Sequence, residues 1–161
     1  LQGGPHMNAI AGIAITLQKA QTEKFRAYAR DVLTNAKALA DSLLVAGAEL
    51  VTGGTDNHML VLDTVRSFGL DGRKAEETLD AVSITTNKQI IPDDPNPPLR
   101  PSGIRVGTPA ATARGMTAED MARLGSWMVA ALQVPDDEAL LANINTEVQA
   151  FCKAFPVPGI D

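Results

Sequence analysis

The residue with the clearest chemical potential is Arg105, within "PSGIRVGTPAATARG" at residues 101–115. Ile104 to Thr108 read as a short strand between Pro101 and Pro109, and an arginine sits near its centre. Ile104 and Val106 alternate with Arg105, so the two-residue period of a strand sets the guanidinium on the face opposite the core. Glycines at 103 and 107 keep the surroundings small and leave space for an approaching group. A guanidinium matches a carboxylate through two parallel hydrogen bonds, which lysine cannot copy. Carboxylate binding at Arg105 is one expectation; a solvent-facing arginine on an edge strand is the other.

The remaining chemistry-bearing residues give weaker signals. Gly3 and Gly4, with Pro5, precede a helical segment, and glycine N–H groups ahead of a helix start can hold a phosphate. The same tripeptide also makes an ordinary turn. In "GGTDNH", Asp56 and His58 stand two apart with no third ligand nearby, and Asp and Asn are turn formers, so no metal site is expected there. His58 then reads as a satisfied structural histidine at the start of a strand, and His6 is read with the same caution. Cys152 falls on the inward stripe of the last helix and reads as core. Lys88 has no visible device for lowering its pKa and reads as a surface or loop amine. No nucleophile–base pair is present, so no complete active site is visible in this chain.

Net charge of -5 over 161 residues argues against nucleic-acid or membrane-surface partners, which require a basic face. No apolar run reaches transmembrane length. A single cysteine excludes an internal disulfide and fits a reducing compartment, with the cytosol as default. The start, "LQGGPHMN", lacks an initiator methionine. "GPHM" reads either as the remnant of a cleaved tag or as part of a longer natural chain.

Several elements must position these residues. Apolar residues at 10, 13, 14 and 17 predict an amphipathic helix over 8–21. A longer stripe from Phe25 through Val32, Leu33, Ala36, Leu39, Ala40 and Leu43 to Leu44 predicts a second helix, stopped at Gly47. "AELVTGGTDNHMLVLDTV" changes period and predicts two strands around a turn. "DGRKAEETLDAV" is a short helix and "SITTNKQII" a strand. Five prolines in residues 92–101 predict a stiff, extended surface loop. Thr117 with Asp120 forms a capping-box signature ahead of a helix through Met121, Leu124, Met128 and Leu132. Pro135 ends it, and a last helix starts near Asp137 with Leu141, Ile144, Val148, Phe151 and Phe155 inward. The order α-α-β-β-α-β-β-α-α predicts an α/β fold of the α+β kind: a small, mostly antiparallel sheet covered by helices.

Four segments together, "LQGGPHMNAIAG", "VTGGTDNHMLVLD", "TTNKQIIPDDPNPP" and "SGIRVGTPAATARG", resemble serine hydroxymethyltransferases in order and spacing, from Leu1 to Phe155. The resemblance favours a native "QGGPHMN". It implies the C-terminal small domain of a fold type I (aspartate-aminotransferase-type) pyridoxal-phosphate enzyme. Residues 1–22 would be the tail of the large cofactor domain, and residues 23–161 the linking helix and small domain. The lysine that carries the cofactor would lie upstream, leaving the chain alone inactive. The implied reaction interconverts serine plus tetrahydrofolate with glycine plus 5,10-methylenetetrahydrofolate. By the same resemblance Arg105 falls on the substrate-carboxylate position, and Gly3 and Gly4 on the cofactor-phosphate position of the neighbouring subunit. Gln89, Pro97, Pro98 and Leu99 fall on folate-contacting positions, although Gln89 stands where many relatives carry Asn and Pro97 where Ser is frequent. A homodimer or tetramer assembled through the large domain is implied. A 2-methylserine hydroxymethyltransferase and a free-standing, non-catalytic interaction domain are the alternatives.

Overall fold

The computed structural model describes residues 3–159, within which seven helices surround a four-stranded antiparallel sheet. The first helix, α1 (Met7–Ala20), has the predicted stripe but buries none of it, and Ile13 and Leu17 are each 60% exposed. Thr22 accepts a hydrogen bond from the Phe25 amide and caps α2 (Glu23–Val45), which ends as predicted near Gly47 at φ +83. Its buried face is narrower than the predicted stripe. Val32, Ala36, Leu39, Ala40 and Leu43 are inside, whereas Phe25, Leu33 and Leu44 are exposed. The buried residues are those that lie along two later helices and the sheet.

The strands are β1 (Glu49–Leu50), β2 (Met59–Asp63), β3 (Asn87–Gln89) and β4 (Gly103–Gly107), in the order β1-β2-β4-β3. Two single-turn helices, α3 (Thr64–Phe68) and α5 (Pro109–Ala113), fall outside the sequence expectation. The predicted helices follow as α4 (Gly72–Ala81), α6 (Ala118–Gln133) and α7 (Glu138–Cys152). Asp71 caps α4, Asp137 caps α7, and the Thr117–Asp120 capping box opens α6 as its sequence indicated. Leu43 of α2, Leu62 of β2, Leu79 of α4, Ile104 of β4 and Met121, Met128 and Leu132 of α6 are almost completely buried together. Removing such a side chain from water contributes about 1.5–3 kcal/mol each. Gly125 of α6 lets α2 and α6 approach closely, since a Cβ there would press on Ser42, whose hydroxyl donates to the Ala122 carbonyl at 3.1 Å. Cys152 is half-buried at the rim of this core.

The proline-rich segment is curled, not extended. Asp94 draws it inward by accepting from the amides of Ile91 (3.2 Å), Asn96 (2.9 Å) and Ser102 (2.9 Å) and from the Ser102 hydroxyl (2.6 Å). Burial alone pushes this carboxyl up, but the bonds from Ser102, Asn96 and Ile91 outweigh it and hold the pKa at about 2. The turn places Asp93 at φ +53. Among the described residues no helix is long and apolar enough to cross a membrane.

Candidate functional site

Arg105 stands on β4, and β4 is an inner strand, which corrects the edge-strand alternative. Its Cα partners are Val61 on β2 and Asn87 on β3. Ile104, one step before it, is fully buried against the helices, while Arg105 is exposed on the other face, as strand alternation required. The segment leaving the strand is tied down. Thr108 donates from its amide to the His58 carbonyl at 3.0 Å and from its hydroxyl to the Val32 carbonyl at 2.9 Å. Tyr28 donates to the Pro109 carbonyl at 3.1 Å, and buried Asn35 donates to Thr112 and to the Met116 carbonyl. The segment entering the strand is fixed by the Asp94–Ser102 bonds and by the Ser102 carbonyl, which accepts from the amide and hydroxyl of Thr64.

The flanking glycines do different things. Gly107 is exposed beside Arg105 and keeps that side low. Gly103 leaves no room for a ligand, because a Cβ there would meet Ile91 at 2.8 Å and the Leu62 carbonyl at 2.9 Å. It permits close chain packing instead.

Arg105 lies in an open depression of about 410 Å³ lined also by His58, Met59, Thr85, Thr86, Asn87 and Val106. No carboxylate among the described residues pairs with Arg105, and no Asp or Glu lines the depression. Its Nε donates to Asn87 Oδ1 at 3.2 Å. An unneutralised guanidinium in a hollow without acidic lining attracts a small anion: two unit charges 4 Å apart gain about 4 kcal/mol at the effective dielectric of a protein surface. The hydroxyl of Thr86 is buried without a hydrogen-bond partner in the same wall.

The other candidates are dispersed. Gln89 is half-buried on β3 opposite Gly103, with its amide donating to the Ile90 carbonyl at 3.0 Å. Pro97, Pro98 and Leu99 form the exposed outer turn of the Asp94 loop, closed by the Arg100 amide on the Pro97 carbonyl, and Leu99 is 77% exposed. Neither group lines the Arg105 depression. Gly3 and Gly4 are exposed ahead of α1 and do not line the depression either. The first turn of α1 has no side-chain cap and no acidic residue, so its amides remain electropositive.

The histidine expectation changes, and the lysine acquires a partner. His58 is exposed, with no side-chain hydrogen bond among the described residues, and it lines the depression; it is not a satisfied interior group. Lys88 is part of a strand, and its amine pairs with Glu76 of α4 at 2.8 Å. Hydrogen bonding by Lys88 lowers the Glu76 pKa. Among the described residues no group of three or more His, Cys, Asp or Glu side chains could hold a metal ion. Sequence reasoning missed Asn87, because an asparagine at a strand start looks like a turn residue until its register partner is known.

Comparison with known proteins gives this arrangement a family. Residues 1–128 match the family model described as serine hydroxymethyltransferase. A serine hydroxymethyltransferase of Rhodopirellula baltica is 50% identical over 157 residues, covering 98% of this chain and 37% of that protein. Serine hydroxymethyltransferase 2 of Mesorhizobium japonicum is 48% identical over 99% of this chain and 36% of its own length. The protein of the same name from Sorangium cellulosum is 47% identical, over 99% and 38%. The chain thus spans little more than a third of the curated relatives it matches. It carries the four motifs, the small helix-covered antiparallel sheet and the exposed arginine, and it belongs to the serine hydroxymethyltransferase family.

Proposed function

We propose that this chain serves a pyridoxal-phosphate-dependent serine hydroxymethyltransferase, in which Arg105 binds the carboxylate of serine or glycine. One observation carries the reading: Arg105 is an unpaired cation on a rigid inner strand, facing a hollow with no acidic lining. A two-point grip on a carboxylate restricts rotation about the substrate's α-carbon, so that the bond to be broken is presented in one orientation. Pyridoxal phosphate, when bound, supplies the electron sink for that bond.

Residues 1–22 would belong with the large cofactor domain and residues 23–161 with the small domain. Gly3 and Gly4 would hold the cofactor phosphate of a neighbouring subunit. Their lack of side chains and the uncapped, acid-free start of α1 fit an anionic group there. Gln89, Pro97, Pro98 and Leu99 would contact tetrahydrofolate, with Leu99 offering exposed apolar surface. Lys88 is engaged by Glu76, which supports a cofactor lysine elsewhere in the protein. The enzyme would act in the cytoplasm as a homodimer or tetramer. The apolar, exposed stripe of α1 supports assembly with further protein surface over a free-standing module.

The test is Arg105→Lys in the intact holoenzyme. A charged hydrogen-bonded contact contributes about 1.5–3 kcal/mol, so KM for serine should rise about 10- to 100-fold, with turnover also reduced. Wild-type KM and turnover would refute the role.

A further inference from the structure

We infer that Asn87 is a positioning residue that presents the outer end of the Arg105 fork to the substrate, so that a carboxylate meets the two terminal nitrogens. The inference rests on the reading of Arg105 as the carboxylate clamp. A guanidinium offers two sets of parallel N–H groups: an edge formed by Nε with one Nη, and an end formed by both Nη atoms. Asn87 Oδ1 accepts from Arg105 Nε at 3.2 Å, which removes one member of the edge set. The end set is left for a ligand.

The asparagine is itself held in one orientation. Its Nδ2 donates to the Lys88 carbonyl at 2.9 Å, so the amide oxygen faces Arg105. Its strand is anchored in turn, because one carboxylate, Glu76 on α4, accepts from the Lys88 amide at 3.2 Å and from the Lys88 amine at 2.8 Å. A short edge strand without such an anchor would fray, and the asparagine would move with it. Residue type matters as much as place. Asparagine orients the guanidinium and leaves its charge intact, whereas an aspartate would hold it equally well and cancel the charge that the substrate needs.

Glycine binding to the intact holoenzyme, measured by calorimetry alongside serine KM, tests this with Asn87→Ala, Asn87→Asp, Arg105→Lys and the double variant Asn87→Ala/Arg105→Lys. Asn87→Ala should weaken glycine binding about tenfold, the scale of one hydrogen bond to a charged group. Asn87→Asp should weaken it at least as much despite keeping the acceptor. In the Arg105→Lys background, Asn87→Ala should add less than about twofold, because the two residues act as one unit. An additive effect there, or glycine binding unchanged in both single Asn87 variants, would overturn the inference. If Asn87→Ala fails to fold, the near-isosteric Asn87→Asp decides alone. Failure of the underlying reading looks different: Arg105→Lys itself would then bind glycine like wild type.

Discussion

Replacing Asp94 by Asn isolates the device that shapes the loop ahead of β4. The carboxylate accepts four hydrogen bonds, two on each oxygen, and its pKa falls from an ordinary 3.8 to about 2. Burial opposes that fall, and the donors from Ser102, Asn96 and Ile91 produce it. The shift corresponds to about 2.4 kcal/mol of preference for the ionised form. The side chain is partly exposed, so about 1–2 kcal/mol survives solvent screening. An asparagine adds a second cost. Oδ2 receives the amides of Ile91 and Ser102 and Oδ1 that of Asn96, so an NH2 group in either place confronts a backbone N–H. Asp94→Asn should therefore destabilise the chain by about 2–3 kcal/mol at pH 7. With a typical urea dependence this lowers the midpoint by about 1 M. The sign with pH follows from the depressed pKa: the stabilisation is complete above 3.8 and is lost as pH falls toward 2. At pH 3 about half of the ionisation contribution should remain. Urea titrations at pH 7, 5, 4 and 3 for both proteins test this. A midpoint within about 0.2 M of wild type at pH 7, or a gap that stays constant down to pH 3, refutes the reasoning.

Three other substitutions probe the framework around Arg105. Gly72→Ala should cost about 1–3 kcal/mol or more, because the added methyl would overlap the Gly103 carbonyl and crowd that of Pro101, both backbone atoms; thermal unfolding measures it. Leu62→Ala removes a fully buried side chain from β2 and should cost about 2–5 kcal/mol in a urea titration. Glu76→Gln breaks the half-exposed pair with Lys88 and should cost no more than about 1 kcal/mol. Since the Glu76 pKa is lowered by Lys88, that loss is present at neutral pH and should shrink in acid, as parallel denaturation curves at the two pH values would show.

Local pattern carried much of this architecture. The long helices announce themselves because each repeats an apolar spacing over several turns, and the Thr117–Asp120 box marks its own helix start. Helices α3 and α5 do not, since five residues are too few to display a period. The curl at Asp94 was hidden for another reason. Proline count describes backbone stiffness, while the shape is set by one carboxylate gathering amides up to eight residues away. Strand order was equally illegible: nothing in "SGIRVG" says that β3 will pair on its far side. The Arg105 face followed from alternation, whereas Asn87 needed the register. On α1 the period gave the helix but not its neighbour, because an amphipathic stripe shows that a face seeks cover without naming what covers it.

The inner position of β4 has a mechanical consequence. A guanidinium on a loop could swing toward an anion alone, but Arg105 is sewn on one side to β2 and on the other to β3, with both ends of its strand fastened. Its backbone is a fixed root, and only the side chain can swing. Beyond that side chain's own reach, any approach between this arginine and its anion must be made by the anion travelling in or by the whole sheet moving as one body.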